Sequence, residues 1–109
     1  MHELSITQSV VDAVLERLPD TRIVGVRLEI GKLSGIVPDS VRFCFDLVVE
    51  GTPLQGARLD IDEPGGRGHC VDCDTEFEVA DQFLLCPCGS ANVEVLAGQQ
   101  LRIRSVEVV

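Results

Sequence analysis

Four closely spaced cysteines constrain this 109-residue chain more than any other feature. Four of its five cysteines follow the spacing C-x-x-C, twelve residues, then C-x-C. Two short hooks brought together by a hairpin can converge four thiolates on one ion, at about 2.3 Å each for tetrahedral zinc. The segment around them has few apolar residues, so a structural zinc, contributing about 10–16 kcal/mol, would supply its folding energy. The spacing predicts a zinc ribbon with ligands Cys70, Cys73, Cys86 and Cys88.

The second hook is shorter than usual, because Pro87 alone separates its two cysteines. On an extended backbone the side chains of residues i and i+2 point the same way, so both sulfurs can still face one ion. The short hook has one fewer backbone N–H to donate to a sulfur. His69 is a candidate substitute ligand, and a redox-active thiol pair and an iron site are alternative interpretations. Cys44 lies on a predicted apolar helix face, where a core position is favoured.

The rest of the chain has the patterns of two helices and three strands. Ser5 and Gln8 have the form of a capping box before an apolar stripe that Pro19 ends, and Pro38 begins a second helix that Gly51 ends. Strands follow from alternation in RIVGVRLEIGKL, ARLDID and QLRIRSVEVV. The predicted stripe of the first helix consists of Ile6, Val10, Val11, Val14, Leu15 and Leu18.

The cysteine module is predicted to be an insertion between the last two of these strands. A glycine-rich joint precedes it at 64–68. We therefore expect an α+β fold, with a small mixed sheet carrying two helices on one face and an inserted zinc-ribbon subdomain. The α/β lobe comprises residues 1–63 and 99–109, and the ribbon comprises 64–98. A small hairpin core is expected from Phe77, Val79, Phe83 and Leu85.

Charge and composition exclude several classes of protein. The formal net charge is −9, and such a surface repels nucleic acid and anionic membranes, since phosphate binding depends on Lys and Arg. In residues 64–98, Arg67 is the sole cation against six acidic residues. No apolar run reaches the roughly 18–20 residues that span a bilayer, and the chain start lacks the pattern of a signal peptide, so a cytoplasmic location is expected.

The sequence offers no pattern of enzyme chemistry. It lacks a nucleophile with its base, a glycine-rich phosphate loop and paired carboxylates at catalytic spacing, so we expect no enzyme. A thiol redox role for Cys70 and Cys73 lacks an adjoining cation to lower a thiol pKa. A structural adaptor, whose ribbon and acidic surface only recruit partners, is another alternative.

The first three residues contain a second set of metal donors. A free amine, neighbouring backbone nitrogens and the imidazole of His2 can surround a divalent ion in one plane, as Ni(II) and Cu(II) prefer. The bulk of His2 favours retention of Met1 and its amine. By itself the pattern is ambiguous, because chain termini are usually frayed and solvated.

Four longer stretches of the sequence carry a more specific signal: MHELS, LEIGKLSGIVPDSVRFCF, EGTPLQGARLDI and the ribbon ending in CPCGS. Together they resemble the HypA/HybF family, the nickel metallochaperones of hydrogenase maturation. The resemblance covers essentially the whole chain. It implies a nickel site formed by the Met1 amine, the backbone nitrogens of His2 and Glu3, and the His2 imidazole, together with a structural zinc in the ribbon. Asp39 resembles a family carboxylate that orients the imidazole.

The resemblance also implies a function and partners. The chain would bind Ni(2+) as transferable cargo and deliver it to a hydrogenase large-subunit precursor. It would work with a HypB-type nickel GTPase and, in some family members, with urease maturation proteins. No nucleic-acid or membrane partner is implied, and the chain would be a monomer or a weak homodimer.

Overall fold

The computed structural model describes residues 2–79 and 83–109 as an α+β protein with two helices and two three-stranded sheets. Its contacts divide it into two units. Unit 1 comprises Met1–Leu28, Ile36–Asp62 and Arg102–Val109, and unit 2 comprises Glu29–Gly35 and Glu63–Leu101. The elements in chain order are α1 His2–Arg17, β1 Ile23–Ile30, α2 Pro38–Val48, β2 Arg58–Asp62, β3 Gly66–Cys70, β4 Glu76–Val79, β5 Val93–Ala97 and β6 Leu101–Val108.

The two helices of unit 1 pack against each other, and its sheet has the strand order β2-β1-β6. Both helices and β1 contribute apolar side chains to one core, because their apolar residues recur on one face of each element. Thr7 is buried there, with its hydroxyl donating to the Glu3 carbonyl at 2.6 Å. The other fully buried core residues of this unit are Val11, Ile23, Val26, Leu28, Val41, Phe45 and Leu54.

Helix α1 begins earlier than the capping-box pattern predicts. It starts at His2, three residues before Ser5, and Gln8 Nε2 donates to Asp12 Oδ1 at 2.9 Å along the helix surface. The predicted capping box is therefore wrong, and His2 and Glu3, two of the residues suggested as nickel donors, lie in the first helical turn. The end of α1 at Arg17 and the start of α2 at Pro38 agree with the proline positions.

Unit 2 is built on an antiparallel sheet with the order β4-β3-β5. Its central strand contains Gly68, and a Cβ built there would lie 2.8 Å from Val93 Cγ1 and 3.3 Å from Phe77 Cζ. Because Gly68 has no side chain, the side chains of Val93 and Phe77 can pack over it. Of the predicted hairpin core, Val79 is buried and Phe77 is half-buried.

The other half of that predicted core is wrong. Phe83 is 83% exposed and Leu85 is 58% exposed. Leu33 is buried and packs against Gly66, where an added Cβ would clash with its Cδ1 and Cγ. A leucine distant in sequence thus covers part of the glycine-containing strand β3.

Backbone hydrogen bonds assign residues 29–35 to unit 2. The Gly31 N–H donates to the Gln100 carbonyl at 2.8 Å, the Lys32 N–H to the Pro64 carbonyl at 3.0 Å, and the Leu33 N–H to the Gly98 carbonyl at 2.7 Å. The unit is thus larger than the segment 64–98 expected from sequence. The predicted domain boundaries, with a ribbon of residues 64–98 and a lobe of residues 1–63 and 99–109, remain a prediction.

Replacing Gly31 with alanine is expected to destabilise unit 2. A Cβ at this position would lie 2.1 Å from the Gly98 carbonyl oxygen, a backbone atom that cannot move aside without breaking the Leu33–Gly98 hydrogen bond. We expect a loss of at least about 1–3 kcal/mol, as for overpacked sites. Gly65→Ala is the control, because nothing lies within 4 Å of its added Cβ. Chemical denaturation measures both, and equal stability of the two variants would contradict the expected clash.

Candidate metal centre

The first hook of the metal centre is the turn that follows β3. Cys70 is the last residue of that strand, and its N–H donates to the Thr75 carbonyl at 2.9 Å while its carbonyl accepts from the Asp74 N–H at 2.8 Å. Asp74 has a φ of 59°, a left-handed conformation that aspartate tolerates better than most residues. The turn returns Cys73 toward Cys70, and the Cys73 N–H donates to Cys70 Sγ at 3.5 Å.

The second hook is the tight turn from Cys86 to Ser90. The Cys86 N–H donates to the Ser90 carbonyl at 2.9 Å and the Gly89 N–H donates to the Cys86 carbonyl at 2.8 Å. Gly89 has a φ of +97°, which glycine adopts without strain. The Cys88 N–H donates to Cys86 Sγ at 3.4 Å. The short hook therefore retains an N–H to sulfur bond of the kind seen in the first hook.

The two hooks bring four sulfurs into one cluster. All four Sγ atoms lie within 4.8 Å of one another, with Cys70 and Cys88 sulfurs 3.8 Å apart and Cys73 and Cys86 sulfurs 3.5 Å apart. A tetrahedron with zinc–sulfur bonds of about 2.3 Å requires sulfur separations near ~3.8 Å. The separations are too long for disulfides, whose sulfurs lie about 2.05 Å apart. The arrangement can hold a tetrahedral metal ion such as zinc.

Two thiols of the cluster, those of Cys73 and Cys86, differ in acidity. The Thr75 hydroxyl, 3.2 Å away, and then the Cys86 thiol lower the pKa of Cys73 to about 6. The Cys88 N–H lowers the pKa of Cys86, but burial and the surrounding sulfurs outweigh it and raise that pKa to about 12. Because thiolates are the ligands, metal binding must displace protons, most of all from the buried Cys86.

His69 is not part of the sulfur cluster. Its Nε2 lies 2.6 Å from Asp74 Oδ1 and its Nδ1 lies 3.4 Å from Glu94 Oε1. The carboxylate of Asp74 and then that of Glu94 raise the pKa of His69 above its ordinary value. Both ring nitrogens have carboxylate partners, so the structure favours four cysteines over a histidine-for-cysteine substitution. Cys44 is half-buried on α2 and also lies outside the cluster.

A polar clasp that the sequence interpretation did not include joins the two hooks. The Ser90 hydroxyl donates to Asp72 Oδ2, and the Asn92 N–H donates back to Ser90 Oγ at 3.0 Å. The Val71 N–H donates to the Asn92 carbonyl at 3.0 Å. The sequence contains a signal for this clasp, because the Asp, Ser and Asn residues near the cysteines are types that form turns and bond neighbouring backbone groups. Only the fold shows that they bond across the two hooks.

Replacing Asp72 with alanine is expected to weaken zinc binding without removing a ligand. The change frees Ser90 and loosens the second hook, and loss of such outer partners typically costs about 10–100-fold in metal affinity. Competition with a chromogenic chelator measures the affinity. Glu78→Ala, which removes an exposed carboxylate from β4 of the same unit, is the control. Equal affinities of the two variants would show that the clasp does not position the cysteines.

The donors suggested at the chain start are only partly described. His2 is exposed as the first residue of α1, whereas the Met1 amine lies outside the described residues. The Glu3 carboxylate accepts from the Val37 N–H at 3.3 Å at the start of α2. The Glu3 N–H and then the Val37 N–H lower the pKa of this carboxyl.

The proposed contact between Asp39 and His2 is not found among the described residues. Asp39 Oδ1 instead accepts from Arg42 Nη1 at 2.9 Å, one turn along α2. An aspartate in the first turn of a helix is favoured by the helix dipole, which accounts for Asp39 without a metal. Glu3, rather than Asp39, forms the hydrogen bond that links the starts of the two helices.

Comparisons with known proteins match the chain along its length. The family model described as hydrogenase/urease nickel incorporation, metallochaperone, HypA matches residues 1–108. The hydrogenase maturation factor HypA of Geobacter sulfurreducens is 50% identical over 109 residues, covering 99% of both chains. That of Nostoc punctiforme is 44% identical over 108 residues, covering 99% of this chain and 96% of the relative.

A solved structure has the same fold. The solution structure of the nickel metallochaperone HypA from Helicobacter pylori has a TM-score of 0.65 at 23% identity, covering 98% of this chain and 97% of that one. Across 2–79 and 83–109 no helix combines the length and apolar character needed to cross a membrane. With the four-cysteine cluster, the fold and the full-length sequence match, the chain belongs to the HypA family of nickel metallochaperones for hydrogenase maturation.

Proposed function

We propose that this chain carries Ni(2+) as cargo on its first three residues and delivers it to a hydrogenase large-subunit precursor, while a Zn(2+) ion held by Cys70, Cys73, Cys86 and Cys88 maintains unit 2. The nickel donors are the Met1 amine, the backbone nitrogens of His2 and Glu3, and the His2 imidazole. The observation that carries the proposal is the family match over residues 1–108, whose description is nickel incorporation.

The position of His2 in α1 supports this assignment. The first four N–H groups of an α-helix have no acceptor within the helix. The amides of His2 and Glu3, the first two residues of α1, can therefore serve a metal without the loss of a helical hydrogen bond. The exposed imidazole of His2 is open to an arriving or departing ion.

The donor chemistry suits transfer rather than storage. A planar set of four nitrogens, which Ni(II) favours, leaves the axial directions open to incoming ligands. Ligand exchange with a precursor can proceed from such a site. Zinc in a closed tetrahedron of four thiolates has no open position, so its role is structural.

The proposal includes partners and a setting. We infer that the chain acts in the cytoplasm as a monomer or weak homodimer, alongside a HypB-type nickel GTPase and, by the family description, in routes that also serve urease. It catalyses no reaction itself. The ribbon, residues 64–98, contributes the zinc site. The α/β lobe, residues 1–63 and 99–109, contributes the nickel donors.

Native mass spectrometry of the untagged chain, titrated with nickel and zinc, tests the metal assignments. We expect one zinc that persists under reducing conditions and one nickel that an apo precursor removes. If nickel binds only after zinc has been removed from the four cysteines, nickel has no separate site and the proposal is refuted. Absence of nickel binding in the presence of the native chain start would refute the carrier role.

Nickel affinity is also expected to depend on pH. Amine, amide and imidazole donors bind only when they have lost, or lack, their protons, so acid competes with the metal. Affinity should fall by at least about tenfold as pH decreases from about 8 to about 6, because a higher proton concentration competes more strongly with the metal. Isothermal titration at both values measures the change. A flat profile would contradict nitrogen coordination at this site.

A further inference from the structure

An exposed apolar groove runs between the outer face of α2 and the first turn of α1. Phe43 is 69% exposed, Leu47 is 54% exposed and Leu4 is 48% exposed. Single exposed apolar residues are common, but clustered ones mark interaction surfaces. The groove, which we call the α1/α2 groove, has a volume of ≈ 450 Å³ and is lined by Glu3, Leu4, Asp39, Ser40, Phe43, Cys44 and Leu47.

The spacing within α2 gives this surface its shape. Phe43 and Leu47 are four residues apart and therefore neighbours on one helix face. The core-facing residues of the same helix are Val41 and Phe45, which are buried. Helix α2 thus has an apolar side that belongs to the core and a second apolar strip that no described residue covers.

Acidic residues outnumber basic ones in α2 and in the residues next to it. From Val37 to Glu50 the acidic residues are Asp39, Asp46 and Glu50, and the sole cation is Arg42. Asp39 already binds the Arg42 guanidinium at 2.9 Å. Among the described residues, the groove itself is lined by the acidic Glu3 and Asp39 and by no basic residue. This acidic rim disfavours a second copy of a chain with a net charge of −9 and favours a cationic partner.

We propose that the α1/α2 groove binds a basic amphipathic helix of the protein that exchanges nickel with this chain. Apolar anchors at i, i+3 or i+4, and i+7 would contact Phe43 and Leu47, with Lys or Arg facing the acidic rim. The proposal rests on the proposed function, since His2 directly precedes the groove residues Glu3 and Leu4 on the same helical turn. A partner bound here is held beside the nickel donors.

Two synthetic peptides of about five helical turns each test the groove. One has leucines on one face and lysines on the other, and the second replaces every lysine with glutamate. We expect the basic peptide to bind the full chain and the acidic peptide not to bind. The affinity should decrease as salt rises, because salt screens exposed charges. Equal binding of both peptides, or binding insensitive to salt, would overturn the electrostatic part of the proposal.

Paired variants locate the binding surface. Phe43→Ser with Leu47→Ser should weaken basic-peptide binding at least about 30-fold, as truncation of central apolar anchors does. The matched control is Leu85→Ser with Leu96→Ser, which removes side chains of unit 2 that are 58% and 51% exposed. Unchanged affinity in the groove variant, or an equal loss in the control, would refute the groove. So would concentration-dependent self-association of the native chain that the groove variant abolishes.

Nickel titration of the same samples separates this proposal from the carrier function. Phe43 and Leu47 provide no nitrogen donor, so the groove variant should bind nickel as the native chain does. Loss of peptide binding with nickel binding intact supports the groove. Peptide binding by a native chain that binds no nickel would refute the carrier role and the link to nickel exchange together, whereas failure of the peptide alone refutes only the groove.

Discussion

Replacement of Cys70 with alanine is expected to release zinc and unfold unit 2 while leaving unit 1 folded. Cys70 is fully buried at the end of β3, and its sulfur lies 3.8 Å from that of Cys88 across the cluster. Three thiolates hold zinc far more weakly than four do. Zinc in a complete structural site contributes about 10–16 kcal/mol of apparent binding free energy. The sheet of unit 2 has little apolar burial with which to offset that loss. Zinc content should fall from one ion to none.

Hydrogen exchange distinguishes this outcome from a general loss of stability. Amides of β3, β4 and β5 should lose protection, and those of α1 and β1 should keep it. Cys44→Ala is the matched control, because it removes a half-buried thiol outside the cluster. If β3 to β5 remain protected in zinc-free Cys70→Ala, the metal does not organise the unit.

The substitution His2→Gln, which removes the imidazole, is expected to reduce nickel affinity more than about 100-fold. Even the loss of a residue that only positions a metal ligand costs about 10–100-fold in affinity. A one-residue extension before Met1 should have a comparable effect, because it moves the amine away from chelating distance while His2 stays intact. Both changes affect the exposed start of α1, so the fold should be unaffected. The planar nickel absorption band should disappear in both variants.

His69→Gln is the control for the His2 variant, because it removes the other histidine of the chain. His69 is bound to Asp74 and Glu94 in unit 2, and its loss should leave the nickel band in place. A band that survives the extension removes the Met1 amine from the site. A band lost in His69→Gln but retained in His2→Gln would assign the nickel ligand to unit 2.

Most secondary structure and the sulfur cluster followed from local sequence. Alternation predicted β1 and β2, and prolines marked the end of α1 and the start of α2, because these signals act through the local backbone. The start of α1 did not follow the capping-box pattern, since Gln8 bonds Asp12 along the helix instead. Cysteine spacing predicted that the four sulfurs cluster, because two short hooks have few ways to present their sulfurs.

The sequence by itself determined that four cysteines come together in one cluster and that α1, α2, β1, β2 and β6 form, because these features depend on neighbours close along the chain. Only the tertiary structure decided that Leu33 covers Gly66, that Asp72 clasps Ser90 and that Phe43 faces outward from the core. Each of these depends on residues brought together from distant positions or on which face of an element is buried. Local patterns do not contain that information.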